Sequence, residues 1–426
     1  MTKEIPFIES LPSHWDVIPN RYLFYPDGKK VGSESANYQL LSLTTSGVKE
    51  RNINVGGGKV PASYDNYQTV KKGQMVFCLF DLDCSAVFSG ISNYNGMITS
   101  AYDVFSTSDR IDSRYADYWF KYVFSNRYYK MYSKNIRYTV TTDMFQSLKT
   151  PVPPLAEQRR ISDFLSQKES KVDALISNVQ AQIEKLKAYK QSLITEVVTK
   201  GLDPNVPMKD SGVEWIGEIP VSWGIAKLQY CAKIRSGITL GKKYPDGAEL
   251  IERPYLRVAN VQNGGVVLDD LKTIEVSAEE DAQYRLSAGE VLMTEGGDRD
   301  KLGRGCVWLG QVEPCLHQNH IFALRTNKLL NPYFLSYVTT SKIGRVYFDI
   351  TAIKTTNLAC TNSSKVLAFK LPLPSAGEQQ QMVDYLDRQV DKIDKLISAK
   401  QSKIEKLEQY KRSLIYEYVT GKKEVS

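Results

Sequence analysis

The chain contains 426 residues, of which 42% are hydrophobic and 24% are charged, and its formal net charge is +7. This length exceeds what one hydrophobic core supports, so two to four domains are expected, and the composition excludes a disordered or low-complexity protein. Without an apolar run of about 18 residues or a signal-peptide layout at the N-terminus, the sequence predicts a cytoplasmic protein that does not span a membrane.

Residues 1–150 are predicted to form a first α+β globular domain. A Leu-Pro-x-x-Trp segment ending at Trp15 starts it, and Gly73 precedes a β-rich run. The predicted elements, separated by Gly, Asn, Asp and Ser turns, are strands at 74–80 and 104–106 and a helix at 114–131.

Residues 151–206 are predicted to form a long helix with a proline-rich lead-in. Proline is tolerated only in the first turn of a helix, so Pro153 and Pro154 locate its start, and Gly201 lies near the expected end. Apolar residues recur at alternating steps of three and four, which is the pattern of a coiled-coil seam. The seam positions are Ile161, Leu165, Val172, Ile176, Val179, Ile183, Leu186, Leu193 and Val197. Such a helix, roughly 65 Å long, needs a partner for its apolar stripe.

Residues 207–371 are predicted to form a second α+β domain whose landmarks correspond to those of the first. Trp223 takes the place of Trp15, and Gly289 takes the place of Gly73. Between these landmarks the two sequences hardly agree. The predicted elements are strands at 290–294 and 306–309 and a helix at 333–348.

Residues 372–426 repeat the first helical segment at a constant offset of 221 positions without a gap. The repeated seam consists of Met382, Leu386, Val390, Ile393, Ile397, Ile404, Leu407, Leu414 and Tyr418. A globule of about 165 residues is only about 40 Å across, so it joins two helix ends that lie side by side. The sequence therefore predicts an α+β fold in which two α/β domains, related by pseudo-twofold symmetry, are separated by two long antiparallel coiled-coil helices.

Over nearly its whole length the chain resembles the specificity subunits of type I restriction-modification systems. The resemblance rests on the order domain, helix, domain, helix and on the two Ile/Leu-Pro-x-x-Trp starts. It also rests on the lead-ins Pro153-Pro154-Leu-Ala-Glu157-Gln158 and Leu373-Pro374-Ser-Ala-Gly-Glu378-Gln379 and on the phrase Tyr255-Leu-Arg257-Val-Ala-Asn260-Val. The second lead-in departs from the pattern, with Ser375 in place of the second proline.

This resemblance implies a non-catalytic subunit that recognises double-stranded DNA. Residues 1–150 and 207–371 would be target-recognition domains that each read half of a bipartite, asymmetric target, and residues 151–206 and 372–426 would be helical spacers that fix the gap. Two methyltransferase subunits would dock on the helices, and a motor-nuclease subunit would join the complex. No cofactor or metal is expected in this chain, since S-adenosylmethionine, ATP and Mg²⁺ would serve the partner subunits. The host would be prokaryotic.

Base reading requires Arg, Lys, Asn, Gln or Glu on loops that reach a groove, and phosphate anchoring requires Lys and Arg. The candidates in the first domain are Lys29, Lys30, Arg51, Asn52, Asn54, Lys59, Lys134, Arg137 and Tyr138. Those in the second are Lys242, Lys243, Arg257, Asn260, Gln262, Asn263, Arg299, Lys301, Arg304, Lys354 and Asn357. As a set they predict DNA contact, with Arg257 as a base reader and Lys242 as a phosphate contact.

Two segments are similar to enzyme motifs but are interpreted structurally. Residues 331–334 (Asn-Pro-Tyr-Phe) are similar to the Asn-Pro-Pro-Tyr segment of adenine methyltransferases, yet the second proline is missing, so we interpret Asn331 as a helix N-cap. Two cysteines and two histidines lie close in sequence, but their spacings match no usual zinc site. We predict a buried thiol pair and surface histidines for Cys306, Cys315, His317 and His320.

Two other functions stay open at this point. The chain could be a coiled-coil adaptor whose domains bind protein, which salt-insensitive and DNA-independent behaviour would support. It could also be a fused methyltransferase or nuclease that acts alone, which methyl transfer by the single chain would support.

Overall fold

The computed structural model describes residues 5–52, 63–133, 138–297, 302–303, 305–354 and 359–425. The chain divides into two compact units, unit 1 with residues 1–180 and 401–426 and unit 2 with residues 181–400. Each long helix therefore contributes one half to each unit. The four segments predicted from the sequence (1–150, 151–206, 207–371 and 372–426) have other boundaries than these two units, because the predicted segments keep each long helix whole.

Unit 1 contains a globular part, head 1 (residues 5–152), made of short strands and helices. Its strands are β1 (Asp16–Pro19), β2 (Phe24–Pro26), β3 (Leu41–Thr44), β4 (Gly47–Glu50), β5 (Gln68–Val70), β6 (Met75–Phe77), β7 (Ser89–Ile91), β8 (Gly96–Ile98), β9 (Asp103–Thr107) and β10 (Lys149–Val152). Its helices are α1 (Ser113–Ser125) and α2 (Thr142–Ser147), with 3-10 turns at Asn20–Tyr22, Gly32–Asn37 and Tyr128–Met131. Strands β2, β9, β6 and β7 form, in this order, an antiparallel sheet, and the remaining strands pair as β1–β10, β3–β4 and β5–β8.

The core of head 1 is an aromatic cluster between the four-stranded sheet and the two helices. Phe24, Phe77 and Phe105 from the sheet meet Phe120 of α1 and Phe145 of α2, all at most 2% exposed. Their ring centroids lie 4.8 to 6.2 Å apart in tilted and edge-on arrangements. Aromatic pairs favour such geometries, so the cluster fixes the helices on the sheet.

Unit 2 contains the corresponding head 2 (residues 208–373), which follows the first long helix, α3 (Leu155–Lys200). Its strands are β11 (Met208–Asp210), β12 (Glu218–Pro220), β13 (Gly224–Lys227), β14 (Ala232–Ser236), β15 (Ile251–Leu256), β16 (Val261–Gln262), β17 (Gly265–Val266), β18 (Lys272–Val276), β19 (Val291–Thr294), β20 (Gly296–Gly297), β21 (Gly305–Val307), β22 (Leu316–His317), β23 (Ile321–Thr326), β24 (Ile353–Lys354), β25 (Ala359–Cys360) and β26 (Lys370–Leu373). Its helices are α4 (Ala278–Tyr284), α5 (Pro332–Thr340), α6 (Lys342–Thr351) and α7 (Ser363–Ala368), with 3-10 turns at Leu228–Tyr230 and Val258–Asn260, and the second long helix, α8 (Ala376–Val419), follows it.

The two heads share one topology. The antiparallel sheet β14-β23-β19-β21 repeats β2-β9-β6-β7, and the pair β13–β26 repeats β1–β10. The turns before β6 and β19 also agree, since Gly73 and Gly289 have φ of 90° and 88°, a conformation that glycine adopts without a Cβ clash. The predicted correspondence between these glycines is thereby confirmed.

Head 2 differs from head 1 in the strands around this shared sheet. Strands β18, β15 and β22 form a second sheet, and β16 and β17 form a hairpin in the connection between β15 and β18. Most of the predicted DNA-contacting residues of head 2 that the structure describes lie in this region.

The two long helices pack through the predicted seam. None of the eighteen seam positions is exposed, which confirms the three-four pattern. In unit 1, Phe164 lies beside Tyr418, with ring centroids 4.6 Å apart, and Asp173 lies 2.9 Å from Lys411. In unit 2, Lys190 forms an ion pair with Asp394 at 2.7 Å. Residue numbers rise along one helix as they fall along the other, so the predicted antiparallel pairing is confirmed.

The two helices that the sequence predicted inside the heads, at 114–131 and 333–348, are each interrupted in the structure. The helix predicted at 114–131 ends at Ser125, because Arg127 adopts the left-handed region at φ 56°, and a 3-10 turn follows. The helix predicted at 333–348 breaks at Ser341, whose buried hydroxyl donates to the carbonyl of Val338 at 2.6 Å. A serine that bonds its own backbone competes with the helical pattern, which explains this break.

Candidate nucleic-acid interface

In unit 1, head 1 is attached to the start of α3 by the Glu-Gln pair of the lead-in. The indole Nε1 of Trp15 donates to Glu157 Oε1 at 3.1 Å. The fully buried amide of Gln158 donates to the carbonyls of Pro153 and Arg110 at 2.7 and 3.0 Å and accepts from the backbone N–H of Asp112 at 2.8 Å. The lead-in residues are therefore an anchor that fixes the base of the head.

Unit 2 repeats this anchor at the start of α8. Trp223 Nε1 donates to Glu378 Oε1 at 3.1 Å. Buried Gln379 donates to the carbonyls of Pro374 and Leu329, both at 2.9 Å, and accepts from the N–H of Asn331 at 2.8 Å. The same chemistry thus holds both heads to equivalent helix starts.

The departure of the second lead-in from the family pattern has a local explanation. Ser375 replaces the second proline and forms a capping box, in which its N–H donates to Glu378 Oε2 at 3.0 Å and the N–H of Glu378 donates back to the serine hydroxyl at 3.3 Å.

Asn331 caps α5 through a 2.8 Å bond from the N–H of Tyr333, with Pro332 in the first turn. The N-cap interpretation of Asn331 is confirmed.

In head 1, the described candidates separate into exposed cations and residues that serve the fold. Lys29 and Lys30 are exposed, and neither ammonium has an ion-pair partner among the described residues. Arg51 is half-buried, and Asn52 is exposed. Tyr138 packs against the head 1 core, with the ammonium of Lys130 4.3 Å from its ring centroid.

In head 2, one of two neighbouring lysines is engaged by a carboxylate. Lys242 Nζ lies 2.5 Å from Glu280 Oε1, and the hydroxyl of Tyr244 donates to the other oxygen at 2.7 Å. Burial raises the pKa of Glu280, but hydrogen bonds from Lys242 and Tyr244 outweigh it and lower the pKa to about 2. Lys243 is exposed and has no ion-pair partner within the described part of the chain.

Asn260, which the sequence predicts as a DNA contact, is built into the fold. It is 4% exposed, its Oδ1 accepts from the N–H of Arg257, and its Nδ2 donates to the carbonyl of Val267, both at 2.8 Å. Both ends of its amide are therefore used in holding the β16–β17 hairpin. Gln262 donates to the carbonyl of Ala259, and Asn263 is exposed at the hairpin turn.

Arg257 pairs with a carboxylate thirteen residues along the chain. Its Nη2 donates to Asp270 Oδ2 at 2.5 Å and to the Asp270 carbonyl at 2.9 Å. Asp270 also pairs with Lys272 at 2.8 Å, and hydrogen bonds from Lys272 and Arg257 lower its pKa. The predicted base reader is therefore engaged in the unbound chain.

The remaining candidates fall wholly or partly outside the described residues. Lys354 belongs to β24, where it pairs with Ala359, and only its backbone is described. The others are Asn54, Lys59, Lys134, Arg137, Arg299, Lys301, Arg304 and Asn357. Their predicted roles stay predictions.

A model of the type I restriction modification DNA specificity domain matches residues 97–185 and 220–406, well over half of the chain. The chain belongs to this family. Known specificity subunits are similar to it in sequence. It is 28% identical to the type I restriction enzyme MjaVIII specificity subunit of Methanocaldococcus jannaschii over 66% of this chain and 64% of that protein. It is 24% identical to the EcoKI specificity subunit of Escherichia coli K12 over 62% and 56% of the two chains. These matches span less than two thirds of the relatives' own length.

The fold is shared with solved specificity-subunit structures. A chain from work on complex assembly and conformational transition of the type I R-M system aligns with a TM-score of 0.71 over 97% of this chain and 99% of that one, at 16% identity. The HsdS subunit from Thermoanaerobacter tengcongensis aligns with a TM-score of 0.52 over 99% and 100%, at 15% identity. The predicted fold class and the family resemblance are confirmed.

The two cysteines and one of the two histidines of the cluster predicted at 306–320 lie where the sequence predicted them. The other histidine does not. Cys306 and Cys315 are buried, and burial raises the pKa of each to about 12. His320 is exposed and pairs with Glu295 at 2.7 Å. The prediction that His317 lies on the surface is wrong. Strand β22 places it fully inside the head, where its Nδ1 forms a hydrogen bond with the carbonyl of Ile321 at 2.9 Å.

Sequence reasoning missed the acidic residues that accompany the basic ones in this head. Helix α4 carries Glu280 and Asp281, and Asp281 pairs with Arg253 at 3.0 Å and with Arg285. The Ser277-x-x-Glu280 capping box was a readable sign of this helix.

No helix in the described ranges is long and apolar enough to cross a membrane, and those ranges contain no cluster of three potential metal ligands.

Proposed function

We propose that this chain is the non-catalytic DNA-recognition subunit of a type I restriction-modification complex, in which each head reads one half of a bipartite, asymmetric target and the helix pair fixes the gap. The observation that carries the proposal is that both units repeat one frame while the loops on it differ. The Trp-Glu and Gln anchors, the glycine turn and the four-stranded sheet recur in both heads. Unlike readers on equivalent frames suit a target whose two halves differ.

The exposed cations are proposed to contact phosphates. Lys29 and Lys30 of head 1 and Lys243 of head 2 project into solvent and have no described ion-pair partner, so DNA can engage them without breaking an internal contact. Arg51, Asn52, Gln262 and Asn263 remain candidates for positioning or base contacts. Asn260 is left out of the proposed contacts, because both ends of its amide are occupied.

The helices are proposed to dock two methyltransferase subunits through two small apolar patches. Patch 1 (Leu175 and Tyr410) lies in unit 1, and patch 2 (Tyr189 and Leu396) lies in unit 2. All four side chains are 47 to 58% exposed, and the 221-residue repeat relates Leu175 to Leu396 and Tyr189 to Tyr410. Single exposed apolar residues are ordinary, but the same pair at equivalent positions of both units favours a partner that binds twice.

The geometry inside each unit supports two-residue patches. In unit 1, Asp173 pairs with Lys411, so Leu175 and Tyr410 lie at the same level of the helix pair. In unit 2, Lys190 pairs with Asp394 and places Tyr189 level with Leu396. Leu175 and Leu396 directly precede the seam positions Ile176 and Ile397. Tyr189 and Tyr410 lie two heptads further along in the same register, so both members of each patch are on the same flank of the helix pair.

Recognition is tested by mapping methylated adenines in the DNA of a host that carries this chain together with its neighbouring methyltransferase. We expect a bipartite motif with two different halves and a fixed gap. Exchanging head 1 for the head of another specificity subunit is expected to change one half-site only. A short palindromic motif, or a motif that survives deletion of this chain, would contradict the proposal. Methylation by the purified chain alone would favour the fused-enzyme alternative.

Docking is tested by native mass spectrometry of the complex with the methyltransferase. The double variant L396E/Y189E is expected to retain one methyltransferase copy where the wild type retains two. The control L329E/Y230E changes the same residue types on head 2, where Leu329 and Tyr230 are 57 and 66% exposed. Two retained copies in the patch 2 variant, or equal loss in the control, would contradict the assignment of the docking surface.

A further inference from the structure

The side chain of Arg257 is held in the unbound chain but incompletely satisfied. A guanidinium has five N–H donors, and among the described residues only its Nη2 has partners, both on Asp270. Its Nε is buried without a hydrogen-bond partner in the same part of the chain. Buried donors in folded proteins are almost always paired, so this group is better satisfied in some other state.

The carboxylate that holds Arg257 is exposed and has a second cation. The side chain of Asp270 is 64% exposed, and it retains Lys272 at 2.8 Å when Arg257 leaves. Release of the arginine therefore leaves no unpaired buried charge behind. These features distinguish the contact from a permanent internal clamp, in which both partners would be buried and fully bonded.

We propose that Asp270 is a restraining residue that sets DNA affinity through Arg257 without touching DNA. This inference rests on the proposed function of the chain. A lone phosphate offers Arg257 the same kind of contact that Asp270 already provides, so exchanging one for the other yields little. The edge of a guanine offers two acceptors in the geometry of the guanidinium, and an extended Arg257 also exposes its buried Nε. Arg257 therefore leaves Asp270 on the target and stays paired on non-target DNA. Breaking the pair costs free energy only on the target, so Asp270 lowers target affinity at least as much as it lowers non-target affinity.

The neighbouring aspartate supplies a matched control. Asp269 is exposed and has no ion-pair partner in the described ranges, so D269N and D270N remove the same charge one residue apart. Any general effect of lower negative charge on DNA affinity appears in both variants. Only D270N releases Arg257.

The experiment uses the full chain in complex with its methyltransferase, with fluorescence anisotropy on a duplex carrying the mapped target and on a scrambled duplex, between 50 and 200 mM salt. We expect D270N to bind the scrambled duplex about 5-fold more tightly than D269N does, with a salt slope steeper by about 0.9, because one more phosphate is neutralised. Target affinity is expected to rise by at least the same factor without a change in salt slope, because the pair that the wild type has to break on the target is gone. D270E keeps the carboxylate and is expected to retain the wild-type affinities.

The double variant D270N/R257A separates the two roles of the carboxylate. Removal of Arg257 is expected to abolish the gain on both duplexes. The inference is wrong if D270N and D269N behave alike, if the gain persists without Arg257, or if D270E binds as tightly as D270N. Equal binding of the wild-type complex to both duplexes, together with absence of a bipartite methylation motif, would instead overturn the proposed function.

Discussion

The anchor amide of Gln379 offers the sharpest test of how the heads are held on the helices. Replacing it with leucine keeps the volume but removes three hydrogen bonds of a fully buried amide, two donated to the carbonyls of Leu329 and Pro374 and one accepted from the N–H of Asn331. Each such hydrogen bond contributes about 1 kcal/mol, so Q379L is expected to destabilise unit 2 by about 3 kcal/mol.

The adjacent glutamine is the control for this substitution. Gln380 is exposed and accepts one bond from the side-chain amide of Asn331 at 2.8 Å, so Q380L should cost at most about 0.5 kcal/mol. Urea unfolding followed by tryptophan fluorescence measures both, and with a slope of about 2–3 kcal/mol per molar the midpoint of Q379L should fall by at least about 1 M. Hydrogen exchange of the peptide around Asn331 should accelerate in Q379L only.

Equal midpoint shifts in Q379L and Q380L would refute the anchor argument. The repeat supplies a second check in unit 1, since Gln158 makes the same three bonds at 2.7, 3.0 and 2.8 Å. Q158L should therefore destabilise unit 1 by a similar amount. A large effect at one anchor and none at the other would contradict their equivalence.

Two further predictions concern pH and a glycine. Burial lowers the pKa of His317 from its ordinary value of 6.5 to about 4. Below pH 6.5 the unfolded chain therefore binds a proton that the folded chain does not bind, so the free energy of unfolding falls as the pH drops. Between pH 7.5 and 5 the loss is about 2 kcal/mol, and the unfolding midpoint of H317Q should lose most of this dependence on pH. At Gly421 a Cβ would lie 2.4 Å from Pro12, whereas at Gly212 nothing lies within 4 Å, and φ is 67° and 69°. G421A should therefore cost about 1–3 kcal/mol more than G212A in thermal unfolding, and equal losses would show that only the backbone conformation matters.

Local rules were sufficient to predict the two long helices, because each sequence signal that defines a helix start, a helix end or an apolar stripe acts within a few residues. Proline is restricted to the first turn of a helix, glycine adopts the left-handed conformation at its end, and the three-four spacing defines an apolar stripe. Helix α3 accordingly begins at Leu155, just after Pro154, and ends at Lys200, just before Gly201. The same rules failed at Ser341, where the side-chain hydroxyl bonds the backbone, since the outcome of this competition depends on the packing of the surrounding residues of head 2.

The sequence by itself therefore determined the repeat, the two long helices, their antiparallel pairing and the family. The tertiary structure alone decided which polar residues serve the fold and which are available to a ligand. Lys242 meets Glu280, Arg257 meets Asp270, and Asn260 is enclosed by the hairpin because the path of the loops brings them there. Periodicity describes contacts along one helix or strand, whereas a charge pair between two loops depends on the course of the whole intervening chain.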